Sequence, residues 1–160
     1  MSAFDFPDLQ QQIAAMAGQQ AQVRLVYLFG SQVSGTTGPL SDVDLAVLLT
    51  EDAPVAQCRA HLEHLFSTAL DGQRVDLVIL NRAPIELAYA VIAQGKLLYQ
   101  CSLAERVEYE ATVMSLYGDY LPFLEAQRQD ILKGARHERR VQRYREALGR
   151  TQQELWRRTA

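Results

Sequence analysis

Residues 27–49 read YLFGSQVSGTTGPLSDVDLAVLL, and the reading of this stretch decides the fold. It opens on the end of an apolar strand, Leu25–Phe29, that runs into Gly30-Ser31. A small, polar, glycine-bearing segment follows, and a second apolar strand begins at Asp42-Val43-Asp44. Residues two apart in a strand share a face, so Asp42 and Asp44 project together while Val43, Leu45 and Val47 project to the other side. Two carboxylates on one face of an apolar strand repel each other and call for a cation between them. Hard oxygen ligands of this kind suit Mg²⁺ or Mn²⁺, ions that take a few carboxylates and leave their other positions to water and phosphate.

Upstream, Val26 and Leu28 alternate with Leu25, Tyr27 and Phe29, the pattern of a strand over Val23–Phe29 that is buried on both faces. Leu9, Ile13 and Met16 recur at helical spacing between Pro7-Asp8 and Gly18, which predicts an amphipathic helix over 7–17. Downstream, 54–70 predicts a second helix whose apolar stripe holds Val55, Leu62, Leu65, Phe66 and Ala69, with Cys58 inside it. Cys58, His61 and His64 are metal-ligating residue types. His64, however, falls nearly opposite the centre of the stripe, so the spacing favours a buried thiol and two surface histidines.

A third strand, Arg74–Leu80, is interrupted by Asp76. A carboxylate inside an apolar strand is costly unless it pairs, here with Arg74 on its own face, or binds a metal. Beside Asp42 and Asp44 it supplies the third carboxylate of a two-metal cluster. Gly30-Ser31 then gains meaning. Free amides and a small hydroxyl where a strand gives way to a short helix form a phosphate-binding corner, although alone such a dipeptide is more often an ordinary turn. No Gly-Lys-Ser/Thr follows it, and Gly30, Gly35 and Gly38 lack the dinucleotide spacing.

The remaining chain predicts a helix over 83–94 stopped by Gly95, a short edge strand at Lys96–Tyr99, and a capping box at Ser102-Leu-Ala-Glu105. The helix opened by that box carries Leu103, Val107, Ala111 and Met114 along one side. Tyr117-Gly-Asp-Tyr120 and Pro122 mark a kink or break, after which a further helix leads into ARHERRVQRYR, with five Arg among eleven residues. Val141, Tyr144 and Leu148 share one side of it, and Trp156 lies near the end. The run reads first as a solvated helix, and in its sharper reading as an electrostatic dock for RNA or an acidic partner.

Composition bounds the answer. At 160 residues and 48% hydrophobic, the chain suits one globular domain with an appendage, here 1–120 followed by a helical, Arg-rich extension over 121–160. Residues 1–127 hold 6 Lys+Arg against 15 Asp+Glu, whereas 128–160 hold 10 against 4, an acidic, metal-attracting body with a basic tail. Two cysteines without motif spacing fit a reducing compartment. With no signal-like start and no apolar run near the length of a membrane span, the expected location is the cytoplasm.

Gly30-Ser31, then Asp42-x-Asp44, then a single Asp76 in a later apolar strand: this ordered set resembles the polymerase-β-like nucleotidyltransferase superfamily. Within it the chain is most similar to the minimal nucleotidyltransferase (MNT) group, antitoxins paired with HEPN-domain toxins. The resemblance covers roughly residues 20–120. It implies an α/β (α+β) fold, a small mixed sheet of three to four strands flanked by helices. It also implies Asp42, Asp44 and Asp76 as catalytic and metal-holding residues for two Mg²⁺ ions, with Gly30 and Ser31 binding phosphate. ATP would be the AMP donor, and a tyrosine hydroxyl on a HEPN toxin the acceptor. A nucleotidyltransferase acting on a small molecule or RNA, and an antitoxin that only masks its partner, are the alternatives. Family members often carry basic residues just after the Gly-Ser. This chain has Gln32, Val33 and Ser34 there, so the triphosphate charge falls to metals, backbone amides or a distant arginine.

Overall fold

The computed structural model describes residues 6–30, 33 and 42–159, with side chains as far as residue 134. Four strands, β1 (Val23–Phe29), β2 (Val43–Leu49), β3 (Val75–Ile79) and β4 (Lys96–Gln100), form one sheet in the order β3-β2-β1-β4. β1 is antiparallel to both β2 and β4, whereas β2 and β3 are parallel. The mixed pairing follows from the connections, because parallel neighbours need a crossover and the helix α2 (Val55–Ala69) supplies one.

Alternation along the strands builds a core on each face of the sheet. On one face Val26, Leu28, Leu45, Val47 and Leu77 pack with α1 (Phe6–Ala17) and α2, which turn in Leu9, Ile13, Leu62 and Phe66. These helical residues lie four apart within each helix, so each helix buries one stripe. On the other face Leu25, Tyr27 and Ala46 meet Val91 and Leu87 of α3 (Ile85–Gln94), together with Tyr109 of α4 (Leu103–Thr159). Cys58 is buried and donates to Gln22 Oε1 at 3.0 Å, while His61 and His64 are exposed, as the spacing of α2 predicts.

β3 gives way to a 3₁₀ turn, Leu80–Arg82, and there Asn81 takes over the ladder. Its Nδ2 donates to Leu49 O and its Oδ1 accepts from Leu49 N, both at 2.8 Å, so an amide side chain completes the edge of β2. A slip of one residue between strands would turn every side chain over, and this clamp opposes it.

Two expectations need correction, the full capping box and the break at Pro122, and the structure also sets which side of α4 is buried. The side of α4 bearing Leu103, Val107, Ala111 and Met114 faces outward, with Leu103 61% exposed. The inward stripe is instead Tyr109, Val113 and Tyr117, four residues apart, with Tyr117 stacked on Tyr89 at 3.9 Å between ring centroids. The reason is polar anchoring to β1: Arg24 pairs with Glu105 and Tyr27 Oη donates to Glu110 Oε1 at 2.8 Å, which fixes the rotation of the helix. The capping box is half made, since Glu105 N donates to Ser102 Oγ at 3.2 Å while the Glu105 carboxylate turns to Arg24. Pro122 does not end the helix, which continues to Thr159. A proline costs the helix one hydrogen bond, to the carbonyl four residues back, and that residue, Gly118, is exposed to water.

The chain divides into two compact units, Met1–Tyr117 and Gly118–Ala160. The Arg-rich run lies on a helical backbone; its side chains, the seam of Val141, Tyr144 and Leu148, and Trp156 lie outside the described side chains. Among the described residues, no helix is long and apolar enough to cross a membrane.

Candidate active site

The parallel register of β2 and β3 runs from Val43 opposite Val75 to Val47 opposite Ile79, and it sets Asp44 directly beside Asp76. Both stand on the α3 side of the sheet, since their neighbours Val43, Leu45 and Leu77 fill the opposite core. Asp42 immediately precedes β2. The three carboxylates therefore share one electrostatic neighbourhood. Burial, then the Asp76 and Asp42 carboxylates in that order, push the Asp44 carboxyl above the usual range.

From the other side β1 brings Phe29 opposite Asp44, and Gly30 turns the chain away with φ +76°. A Cβ on Gly30 would lie 3.0 Å from Asp44 Cγ and nearer still to Oδ2. Both the left-handed backbone and the contact demand glycine here. The turn is closed by Val33 N donating to Gly30 O at 3.2 Å. Ser31 and the short helix expected after it lie outside the described residues.

Two arginines attend the outer carboxylates. Val43 N donates to Arg74 O at 2.9 Å, which holds Arg74 near Asp42, and Arg74 Nε stands 3.8 Å from Asp42 Oδ1. From α2, Arg59 Nε donates to Glu63 Oε1 at 2.8 Å and its Nη2 stands 4.0 Å from Asp76 Oδ1. Asp76 thus faces Arg59 rather than Arg74, the partner its own strand suggests. Its side chain is 64% exposed because β3 is an edge strand, so it escapes the burial cost expected of a carboxylate in an apolar strand. Both arginine contacts are long and exposed, and such pairs hold weakly.

Among the described residues, no three carboxylate, histidine or thiol side chains are drawn into a closed metal-holding group. The donor set still fits a hard divalent cation. Three carboxylates are gathered by strand register, Asp44 bears the repulsion of both neighbours, and Gly30 keeps a side chain out of the space at its oxygens. Open space lies on each side of the pair. A cavity of about 450 Å³ is lined by Phe29, Gly30, Val33, Ala90, Gln94 and Gly95. A groove of about 440 Å³ follows the edge of β3 and includes Asp76, Arg59 and Arg82. Sequence reasoning missed Arg59, since it comes from another element and exposed arginines are common, and it paired Arg74 with Asp76 where the structure sets it against Asp42. The contact of Gly30 with Asp44 carried one signal, a glycine at the end of an apolar strand.

Residues 11–102 match the family model for polymerase beta nucleotidyltransferases. Over 111 residues the chain is 34% identical to protein adenylyltransferase MntA of Shewanella oneidensis, covering 69% of this chain and 75% of MntA. The fold is similar to a chain in a crystal structure of a toxin–antitoxin with AMP-PNP, with a TM-score of 0.60 and 31% identity over 79% of this chain and 97% of that one. It is also similar to a chain in the complex of a tri-AMPylated Shewanella oneidensis HEPN toxin with MNT antitoxin, with a TM-score of 0.57 and 29% identity over 79% and 95%. The chain belongs to the polymerase beta nucleotidyltransferase family, and within it to the minimal nucleotidyltransferase group.

Proposed function

We propose that this chain is a cytoplasmic antitoxin that transfers AMP from ATP to a tyrosine hydroxyl of a HEPN-domain partner and so neutralises it. The observation that carries the reading is the Asp44–Asp76 pair beside Gly30, with Asp42 next to both. The names of the relatives support the donor, the modification and the partner.

Asp42 and Asp44 would hold the cations, with Asp76 completing the set on the acceptor side. Bound there, two Mg²⁺ ions would supply charge stabilisation for both the entering and the departing oxygens. Asp76, the most exposed of the three, would accept the proton of the attacking hydroxyl. Gly30 and Ser31 would seat the β- and γ-phosphates through backbone amides and position, because in-line displacement asks little covalent work of the protein. The cavity beside Gly30 gives the donor nucleotide its room. Asp42 and Asp76 need only leave weak arginine contacts to turn toward a cation.

Masking without catalysis is the second reading, favoured by the absence of a basic residue at Gln32, Val33 and Ser34, just after Gly30-Ser31. The two separate in one experiment. The protein is mixed with α-labelled ATP, Mg²⁺ and the product of the neighbouring gene, wild type against Asp42→Asn/Asp44→Asn. Label on the partner that disappears in the variant is expected. Neutralisation that survives in the variant without label would replace the proposal with masking, and label on RNA or a small molecule would redirect it to another acceptor.

A further inference from the structure

We propose that the cavity at the far end of β1 and β2 from Gly30 is a binding site for an aliphatic polyamine. It stands apart from the Asp42, Asp44 and Asp76 cluster and does not rest on the adenylyltransferase reading.

The cavity, about 560 Å³, opens between the start of β1, the turn that follows β2 and the first turns of α4, and all its lining residues lie between Arg24 and Thr112. That volume falls within the range of small-molecule sites. Among the described residues, the buried side-chain polar atoms that lack a partner concentrate here: Thr50 Oγ1, Tyr109 Oη and Arg24 Nε all belong to residues lining this one cavity. A buried hydroxyl left unpaired is costly, and native chains satisfy such groups with water or with a ligand.

Charge decides which ligand. Glu105 is taken by Arg24. Glu51, Asp52 and Glu108 line the same space, and among the described residues none of them has a basic partner. Three unpaired carboxylates call for a cation of more than one charge. A single metal ion does not suit them, because no three acidic side chains among the described residues converge on one point. Separated carboxylates match ammonium groups spaced along a chain. The hydroxyls of Thr50 and Tyr109 would accept N–H bonds from the same ammoniums, and Leu48 with the Tyr109 ring suits the methylene runs between them. Arg24 Nε, itself a donor, would be left to water. Glu51 and Asp52 stand on the turn after β2, and Glu108 and Tyr109 on α4, so a ligand that spans the cavity ties α4 to the sheet.

Calorimetric titration of the full chain with spermidine, in EDTA and at constant ionic strength, tests this. Wild type should bind saturably, one molecule per chain, and melt at a higher temperature with the ligand present. Glu51→Gln/Glu108→Gln should weaken binding about tenfold or more, the scale of a lost charged hydrogen bond. Tyr109→Phe should weaken it severalfold while the unliganded chain melts no lower, because the lost hydroxyl has no partner in the chain. A purely structural hydroxyl would do the reverse. Asp42→Asn/Asp44→Asn removes the other carboxylate cluster and should leave the affinity unchanged. No saturable binding, an affinity that either cavity variant leaves untouched, or one that is lost with Asp42 and Asp44 overturns the site.

Discussion

Replacing Asp44 by Asn should stabilise the metal-free fold and remove the chemistry in the same step. Asp44 stands in register with Asp76, with Asp42 two residues before it, and both carboxylates together with burial make its ionisation unfavourable in the folded chain. Like charges facing across neighbouring strands cost roughly 0.2–1 kcal/mol. Asp76 and Asp42 are both substantially exposed, so the lower half of that range applies to each and the amide should recover about 1 kcal/mol in all. For a chain of this size that is about 2–4 °C in Tm. The sign with pH follows from the raised carboxyl. The folded chain holds the Asp44 proton more tightly than the unfolded chain, so this group favours folding below its ordinary range, and the benefit is lost as pH rises through the elevated value. The advantage of the Asp44→Asn variant is therefore full at pH 7 and vanishes in acid. Melts in EDTA and in Mg²⁺, at neutral and acidic pH, read all of this. Wild type should gain stability from Mg²⁺ at pH 7 and Asp44→Asn should not, while transfer falls about a hundredfold or more. A lower Tm for the variant in EDTA, or an equal Mg²⁺ shift for both, refutes the electrostatic account of the site.

Three further outcomes are expected. Gly30→Ala forces a left-handed alanine and drives its Cβ into the Asp44 carboxylate, so urea unfolding should show a loss of at least about 1–2 kcal/mol; unchanged stability would remove the turn from the argument. Tyr27→Phe deletes a hydrogen bond to a charged acceptor, Glu110, at a cost of about 1.5 kcal/mol or more. Its partner observation is an alkaline ultraviolet titration in which Tyr27 resists ionisation, chiefly through burial, and Tyr109 is pushed up to about 12, so that a single step at the ordinary tyrosine value would contradict their packing. Phe66→Ala empties the centre of the core between α2 and the sheet and should cost about 3–5 kcal/mol in chemical denaturation, without selective loss of Mg²⁺ binding in the folded fraction.

The fold was largely legible because its signals are local and periodic. β1 and β2 announce themselves by alternation around Gly30 and Asp42, and the buried residues of α1 and α2 lie on the stripes that their spacing indicates. What escaped depends on contacts between elements. The rotation of α4 is set by Arg24, Tyr27 and Glu110, and no periodicity within the helix reveals that its apolar side faces outward. Asp76 was found for a reason that fails: its strand lies at the edge, so burial does not make it costly, and only its register with Asp44 gives it meaning. Arg59 beside Asp76, and the turn of Arg74 to Asp42, were illegible for the same cause, since proximity across β2, β3 and α2 leaves no trace in spacing.

Strand register is what turns three ordinary aspartates into a candidate site. A slip of one residue between β2 and β3 would send Asp44 into the core packed by α1 and α2 and bring a leucine or valine to the nucleotide side. Repulsion between Asp44 and Asp76 favours such a slip, because the native pairing places like charges side by side. Opposing it are the buried Leu45, Val47, Leu77 and Ile79, which occupy their core in one register only, and Asn81, whose amide pairs with both backbone groups of Leu49 at the far end of the strand. The Asn81 clamp that helps to hold the charges together is thus made away from them. A site destabilised by its own carboxylates can persist on this sheet because the elements that enforce its geometry take no part in its chemistry.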